Sequence, residues 1–509
     1  MASRTSNTSR NIVTGMANKI TVLVLQFVSR KVFLVYIGIE YLGMNSLFSN
    51  ILSLLSMADL GFGIAMAYSY YEPLAKKDYK KISALNHFYR KVYNIIALTV
   101  AVIGVVLIPF LKYIVNTDQP IDNLYLYYVL QLSNTVISYL FIYKSTILKA
   151  DQKTYIANGI MIKVNVVKVI IQIIVMITLR LYLVYCICDV LATFINNLLI
   201  SHQTDKRYPY IKAPEELDKT SKQDIFHNMS SVFLYKFSAS IMGGTDSIII
   251  SVIVGTVAVG MYTNYLTITQ QLINITNIIF TSFTASIGNL LVEGDKEKNY
   301  RVFKLMQTIS FIISGIISIC ILALVEDLVA VWIGSEYIMG TEMTFAIALN
   351  TYFTISLQPI WSFREASGLY RKTKYIMVAT AVLNIILSII LGLLFGTPGV
   401  VFATVLSRVL TYFWYEPKLV YDLYFGKNVF LYYIRHIINL AIIFGGYYIC
   451  SFCWNSIGGE ITGWLWLIRK TCFIGFIAVI IYVLAYFKNK DFRYILKKVC
   501  NLLRKKQKT

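Results

Sequence analysis

Charged side chains are scarce in this sequence of 509 residues. Asp, Glu, Lys and Arg together account for only 14% of the chain, whereas 57% of its residues are hydrophobic. Soluble domains usually carry about a quarter charged residues. This shortage, together with apolar runs of helical length, excludes an ordinary soluble protein. It predicts an all-α polytopic membrane protein, because a helix satisfies its backbone hydrogen bonds within one segment.

Histidine is also rare in this sequence. The four histidines, His87, His202, His227 and His436, are scattered near predicted loops and show no metal-ligand spacing. Every predicted outward loop is too short to house a hydrolase or transferase site. We therefore predict that the chain is not an enzyme. We expect no cofactor either, apart from Na⁺ or H⁺ as a coupling ion.

The seven cysteines lie in or beside the apolar runs, and Cys450 and Cys453 form a CxxC motif. Such a motif can indicate a redox or zinc site. Here it ends an apolar run and has no nearby histidine. We therefore interpret these cysteines as helix-packing residues.

Acidic residues are outnumbered, because 47 Lys and Arg oppose 26 Asp and Glu and give a net charge of +21. The bases fall mostly between the apolar runs, where the positive-inside rule explains them without any nucleic acid. Segments after even-numbered runs are basic, which predicts that both termini are cytoplasmic. The N-terminal stretch MASRTSNTSRN precedes a run too long for a cleavable signal, so we expect the first span to remain as an anchor.

Fourteen runs are long enough to cross a bilayer at about 20 residues per crossing. They lie at 12–37, 44–70, 92–115, 124–147, 156–179, 181–201, 228–254, 259–288, 302–325, 340–363, 375–396, 399–417, 434–454 and 464–487.

The two halves of the sequence resemble each other. IGIEYLGM (37–44) matches VGTVAVGM (254–261), and the same offset of 217 pairs Asp78 with Asp295 and Lys81 with Lys298. Near the fourth run of each half the offset drifts to 220 and pairs Lys144 with Arg364. Six runs separate equivalent positions, so both halves share one orientation, as in transporters built from parallel repeats.

This repeat predicts two six-helix lobes around a central cavity, followed by two extra helices. We place the N-terminal lobe at 1–201, a cytoplasmic linker at 202–225 and the C-terminal lobe at 226–420. Residues 421–509 then hold the last two spans and a basic tail.

Cations inside apolar runs point to the cargo, because an unpaired charge in hydrocarbon is expensive and usually faces a wet cavity. Arg30 lies about 27 Å along a helix that starts near Ile12, past the midplane. Arg and Lys bind phosphate oxygens, so we predict a pyrophosphate site in the cavity. Its candidate residues are Arg30, Arg364, Lys19, Lys144, Lys236 and Arg408.

Other interpretations of these charges stay open. Lys19 and Lys144 are near enough to span ends to snorkel to the headgroups. Arg364 neighbours Glu365 and could form a local ion pair with it. Asp59 and Asp246 could bind a coupling Na⁺ or H⁺, or could balance nearby cations.

Three stretches carry a resemblance to a known family. They are YLGMNSLFSNILSLLSMADLGFGIAMAYSYYEPLAKKDYKKISALNHFYRKVYN (41–94), TDSIIISVIVGTVAVGMYTNYLTI (245–268) and SIGNLLVEGDKEKNY (286–300). The chain resembles the bacterial polysaccharide repeat-unit flippases for O-antigen, capsule or teichoic-type polymers. These belong to the multidrug/oligosaccharidyl-lipid/polysaccharide exporter superfamily, with the multidrug MATE exporters and lipid II flippases.

The resemblance implies that the chain moves an undecaprenyl-pyrophosphate-linked oligosaccharide across the bacterial cytoplasmic membrane by alternating access. It implies membrane lipids as surroundings and a polysaccharide polymerase and chain-length machinery as partners. Relatives carry cationic cavity residues on the first span, which favours Arg30. The alternatives are a cation-coupled multidrug exporter on the same fold and a membrane glycan polymerase or ligase.

Overall fold

A computed structural model describes residues 4–56, 62–118, 120–213, 215–457 and 463–497. Within those ranges the chain forms eighteen α-helices and no strand. The helices are α1 (Arg4–Tyr36), α2 (Ile39–Leu55), α3 (Phe62–Lys76), α4 (Tyr79–Leu107), α5 (Leu111–Ile114), α6 (Leu124–Leu140), α7 (Ile142–Ala150), α8 (Thr154–Thr178), α9 (Tyr182–Arg207), α10 (Lys219–Ile253), α11 (Thr256–Glu293), α12 (Lys296–Trp332), α13 (Thr341–Ser356), α14 (Gln358–Ser367), α15 (Tyr370–Leu410), α16 (Tyr412–Val420), α17 (Phe430–Ile457) and α18 (Trp464–Tyr486).

The predicted apolar runs are predominantly helical within the described residues, which confirms an all-α polytopic membrane fold. In the described residues, eight helical stretches are long and apolar enough to cross a membrane by length and composition. The predicted eleventh and twelfth runs both lie in α15. That helix is broken at Gly396, which has a φ of 64° and a ψ of −144°. Pro398 follows two residues later and cannot donate the next backbone hydrogen bond.

Local structure repeats between the halves, as the sequence similarity predicts. Gly38 and Gly255 both adopt a positive φ, 104° and 134°, immediately before α2 and α11. A residue with a Cβ avoids that region, so glycine is required at both turns. Asp78 caps α4 by accepting a hydrogen bond from the Lys81 amide at 3.0 Å. Asp295 caps α12 in the same way by accepting one from the Lys298 amide at 3.1 Å.

Two repeat-related glycines pack directly against backbone. A Cβ added to Gly43 would lie 2.0 Å from the carbonyl oxygen of Thr256, and one added to Gly260 would lie 2.8 Å from that of Ile39. Ile39 and Thr256 are themselves separated by the repeat offset of 217. The first turns of α2 and α11 therefore touch reciprocally, as two copies of one motif do about a two-fold axis.

The chain divides into two compact units, Met1–Gly260 and Met261–Thr509. In the first unit, α1 packs on α8, α9 packs on α8 and α6, and α2 packs on α10. In the second, α12 packs against α13, α17 and α18, and α15 packs against α13. The first unit thus includes α10, which the sequence-based boundaries place in the second lobe. Those lobe boundaries stay a prediction.

The connection between α9 and α10 is shorter than the predicted linker at 202–225, and it packs onto the first unit. The first six residues of the predicted linker continue α9, and its last seven begin α10. Between them, Tyr208 donates a hydrogen bond from its hydroxyl to Asp151 at 2.6 Å, and Asn86 of α4 donates one to the Ile211 carbonyl at 3.3 Å. Burial raises the pKa of Tyr210, in the same turn, to about 12. The linker is therefore docked along residues 208–213.

Candidate functional site

A polar cavity of about 410 Å³ lies inside the first unit, between α1, α2, α8 and α9. Its volume falls within the range of about 300–1,000 Å³ that is typical of ligand pockets. The residues that line it are Val22, Leu25, Gln26, Ser29, Arg30, Phe33, Leu42, Asn45, Ser46, Ser49, Asn165, Lys168, Val169, Gln172, Tyr185 and Asp189. We call this space the cationic cavity.

Helical spacing places the polar side chains of this wall on common faces. On α8, Asn165, Lys168 and Gln172 are three and four residues apart, so they form one stripe. On α9, Tyr185 and Asp189 are four residues apart and form another. Both stripes run through otherwise apolar spans, where polar residues usually face a bundle interior or a wet cavity.

Two cations and one carboxylate line the cationic cavity. Lys168 donates a hydrogen bond to Asp189 at 2.8 Å, and this pair joins α8 to α9. Arg30 is half-buried on the first helix and faces the same space. The charged side chains of the lining, Arg30, Lys168 and Asp189, together carry one net positive charge. Such a cavity favours an anion.

A second cavity, of about 440 Å³, shares Asn45, Ser49 and Asp189 with the cationic cavity. The rest of its wall is rich in hydroxyl and amide groups and contains no cation among its described lining residues. Those further residues are Leu52, Ser53, Ser56, Leu130, Gln131, Asn134, Thr135, Ser138, Tyr139, Cys186 and Thr193. We call this space the hydroxyl-lined cavity.

A hydrogen-bond network fixes the wall between the two cavities. Gln131 and Tyr182 each donate to the Asn45 side-chain oxygen at 2.8 Å, and Gln131 also donates to the Tyr182 hydroxyl at 3.0 Å. Asn134 Oδ1 is buried nearby and accepts no hydrogen bond from a described residue. A buried amide oxygen without a donor is costly, so a hydroxyl-bearing ligand or water suits this position.

Arg364, the second predicted pyrophosphate ligand, is buried in the second unit beside an acid. Its Nη1 donates to both carboxylate oxygens of Glu416, at 3.2 and 3.1 Å. Glu365, the neighbour that the sequence suggests, is 3.8 Å away and 42% exposed. The guanidinium also lies against the rings of Trp361 and Tyr370. Its positive charge is thus already balanced by Glu416.

Lys144, the repeat partner of Arg364, has an equivalent arrangement. It donates to the Asp205 carboxylate at 2.8 Å and to the Ser201 hydroxyl at 2.8 Å. Asp205 lies on α9, the helix of the sixth run, and Glu416 lies in the twelfth run. In each half, a cation near the end of the fourth run therefore binds an acid near the end of the sixth run.

The other predicted site residues are dispersed. Lys19 is exposed on α1, and Lys236 is half-buried on α10. Arg408 donates to the Thr354 hydroxyl at 2.7 Å. Asp246 is buried on α10, and Asp59 lies outside the described residues. In the described part of the chain, no group of three or more His, Cys, Asp or Glu side chains could hold a metal ion.

Comparison with solved structures shows which fold this is. An inward-facing multidrug resistance MATE family transporter of the MOP superfamily matches with a TM-score of 0.63 at 14% identity, over 81% of this chain and 98% of its own. The lipid II flippase MurJ, in an inward closed conformation, matches with a TM-score of 0.64 at 15% identity, over 93% of this chain and 99% of its own.

An outward-facing MATE transporter also matches, with a TM-score of 0.56 at 14% identity, over 81% of this chain and 93% of its own. No protein-family model matches the sequence, and no curated protein does so. At this level of identity the likeness establishes a shared polytopic fold. It does not identify the cargo of this chain.

Proposed function

We propose that this chain is a flippase for undecaprenyl-pyrophosphate-linked oligosaccharides, which it carries from the cytoplasmic to the outer leaflet by alternating access. The observation that carries the proposal is the junction of the two cavities in the first unit. An electropositive space that meets a hydroxyl- and amide-lined space suits a ligand with a phosphorylated end and a sugar end. The polyprenyl tail would remain in the bilayer.

At the phosphorylated end, Arg30 is the principal anion ligand. Its planar guanidinium can bind two phosphate oxygens at once, whereas a lysine acts as a point charge. Lys168 is the second ligand, because an arriving diphosphate competes with Asp189 for the ammonium group. Release of Asp189 would leave a carboxylate able to take up a proton or Na⁺, which links cargo binding to a coupling ion.

At the sugar end, the hydroxyl-lined cavity supplies neutral partners. Asn134 Oδ1 can accept a hydrogen bond from a sugar hydroxyl, and the hydroxyl groups of Ser49 and Thr135 can both donate and accept. Neutral groups bind many sugars with modest strength, which suits a carrier that must release its cargo.

The remaining predicted cations take supporting roles in this proposal. Lys19, Lys236 and Arg408 contribute positive potential along the path of the lipid headgroup. Lys144 and Arg364 are neutralised by Asp205 and Glu416, so they contribute less to anion binding. Asp246 remains a candidate for ion coupling.

The test compares two neighbouring cations on α1. Arg30 lines the cationic cavity, whereas Lys31 is exposed at the next position of the same helix. Charge-assisted hydrogen bonds contribute about 1.5–3 kcal/mol. Arg30→Ala should therefore weaken the binding of polyprenyl pyrophosphate to the purified chain by roughly tenfold to a hundredfold. Arg30→Lys should retain part of the affinity, and Lys31→Ala should retain nearly all of it.

The same three variants are then compared in cells that lack the native gene, with surface glycan measured at equal protein levels. Arg30→Ala should reduce export and make lipid-linked repeat units accumulate on the cytoplasmic side. Normal export by Arg30→Ala, or an equal loss in Lys31→Ala, would contradict the proposal.

A cation-coupled multidrug exporter is the second candidate, because MATE transporters share the fold and Asp189 lies between the two cavities. A cationic drug would favour an acidic cavity, however, and Lys168 already neutralises this carboxylate. Increased drug susceptibility in a deletion strain, with unchanged surface glycan, would favour the exporter.

A further inference from the structure

A separate cavity in the second unit has no part in the proposed flipping site. Its volume is about 910 Å³, and it lies between α12, α13, α15, α17 and α18. It opens near the α12–α13 connection, on the side that the charge distribution predicts to be outside. We call it the acidic cavity because Glu326, Asp327 and Glu342 line it together with one cation, Lys470.

Its charges are incompletely balanced. Lys470 forms an ion pair with Asp327 at 2.6 Å. Glu326 accepts a hydrogen bond from the Thr344 hydroxyl at 2.8 Å. Within the described part of the chain, neither Glu326 nor Glu342 belongs to an ion pair. Two carboxylates thus face the cavity without a cationic partner, which favours a ligand that brings positive charge.

The opposite wall is apolar and continuous with the membrane-facing surface. Leu391, Phe395, Phe402 and Leu406 of α15 line it. Phe395 is also 61% exposed, beside the exposed Leu393 and Leu394. Exposed leucine and phenylalanine side chains on a spanning helix face lipid chains. An occupant with an apolar chain could therefore enter from the bilayer.

We propose that the acidic cavity binds a membrane lipid whose head carries a primary ammonium group, of the phosphatidylethanolamine type. The ammonium group would contact Glu326 and Glu342, the lipid phosphate would lie toward Lys470, and the acyl chain would pack on the α15 wall. A zwitterionic head matches a cavity that holds unpaired carboxylates and a lysine together. A choline head lacks the N–H donors that these carboxylates require.

The experiment uses the full-length chain in nanodiscs of phosphatidylcholine. A minor fraction of photoreactive phosphatidylethanolamine is added in one arm, and photoreactive phosphatidylcholine with identical chains in the other. Labelled peptides are mapped by mass spectrometry. The ammonium lipid should label peptides of α13 and α15 about tenfold more strongly than the choline lipid, since charge-assisted hydrogen bonds distinguish the two heads.

The double variant Glu326→Gln/Glu342→Gln should abolish that difference. Glutamine at 326 keeps an oxygen that can accept the Thr344 hydrogen bond, and unfolding in phosphatidylcholine discs checks that the fold survives. The matched control is Glu336→Gln, an exposed acid in the α12–α13 connection that is absent from the cavity wall.

Equal labelling by the two lipids would overturn the proposal and leave a cavity that holds acyl chains only. A preference that persists in the double variant, or labelling elsewhere, would also overturn it. Pyrophosphate binding at Arg30 should be unchanged in the double variant, so failure here is distinguishable from failure of the flippase proposal.

Discussion

The buried pair between Arg364 and Glu416 joins α14 to α16 in the second unit, and its two members are 5% and 1% exposed. Removing one partner from such a pair leaves an uncompensated charge and costs about 3–5 kcal/mol. Replacing both by apolar residues of similar volume is often neutral or stabilising. The geometry therefore predicts strongly non-additive effects of Glu416→Leu and Arg364→Met.

Each single variant should lower the free energy of unfolding by about 3–5 kcal/mol, because Glu365, at 3.8 Å and partly exposed, substitutes poorly for Glu416. The double variant should lie within about 1 kcal/mol of the parent, which gives a large coupling energy. The measurement is reversible unfolding of the purified full-length chain in mixed detergent micelles, with all four proteins under identical conditions.

The same four proteins separate a structural role of Arg364 from a role in anion binding. If the pair is structural, the double variant should bind polyprenyl pyrophosphate as the parent does. Additive destabilisation, or single variants that cost less than about 1 kcal/mol, would refute the argument from burial. Loss of pyrophosphate binding in a stable double variant would instead restore Arg364 as a cargo ligand.

Three further predictions concern packing, anion binding and capping. Gly43→Ala should lower the free energy of unfolding by about 1–3 kcal/mol, because the added Cβ would meet the backbone of α11. The control is Gly475→Ala, where nothing lies within 4 Å of an added Cβ. This control should be neutral or stabilising in the same unfolding assay. Asp189→Asn should strengthen pyrophosphate binding by freeing Lys168, and unchanged or weaker affinity in a titration would count against the cationic cavity. Asp295→Ala should cost about 1 kcal/mol through loss of the cap of α12, and an unchanged unfolding free energy would show the cap to be dispensable.

The hydrophobic pattern predicts the helical content of this chain, because a backbone in lipid must satisfy its hydrogen bonds within the protein and a helix does so within one segment. The repeat also predicts local structure, since Gly38 and Gly255 both adopt positive φ and Asp78 and Asp295 both cap helices. The break at Gly396 falls at the end of the eleventh predicted span. Each of these features depends on a few consecutive residues.

Ion pairing could not be predicted in the same way. The sequence points to Glu365 as a partner of Arg364, yet the closer acid is Glu416, 52 residues further on. Likewise Lys168 pairs with Asp189 across two helices. Such pairs depend on the rotation and tilt of neighbouring helices, which hydrophobic pattern leaves undetermined. The stripe of polar residues on α8 was the available signal for that part of the cationic cavity.

Each half of the sequence contains one equivalent ion pair, which bears on how the chain evolved. Lys144 binds Asp205 in one half, and Arg364 binds Glu416 in the other. The residue types differ while the connection between fourth and sixth runs is kept. Duplication of a six-helix ancestor that already held such a pair accounts for this.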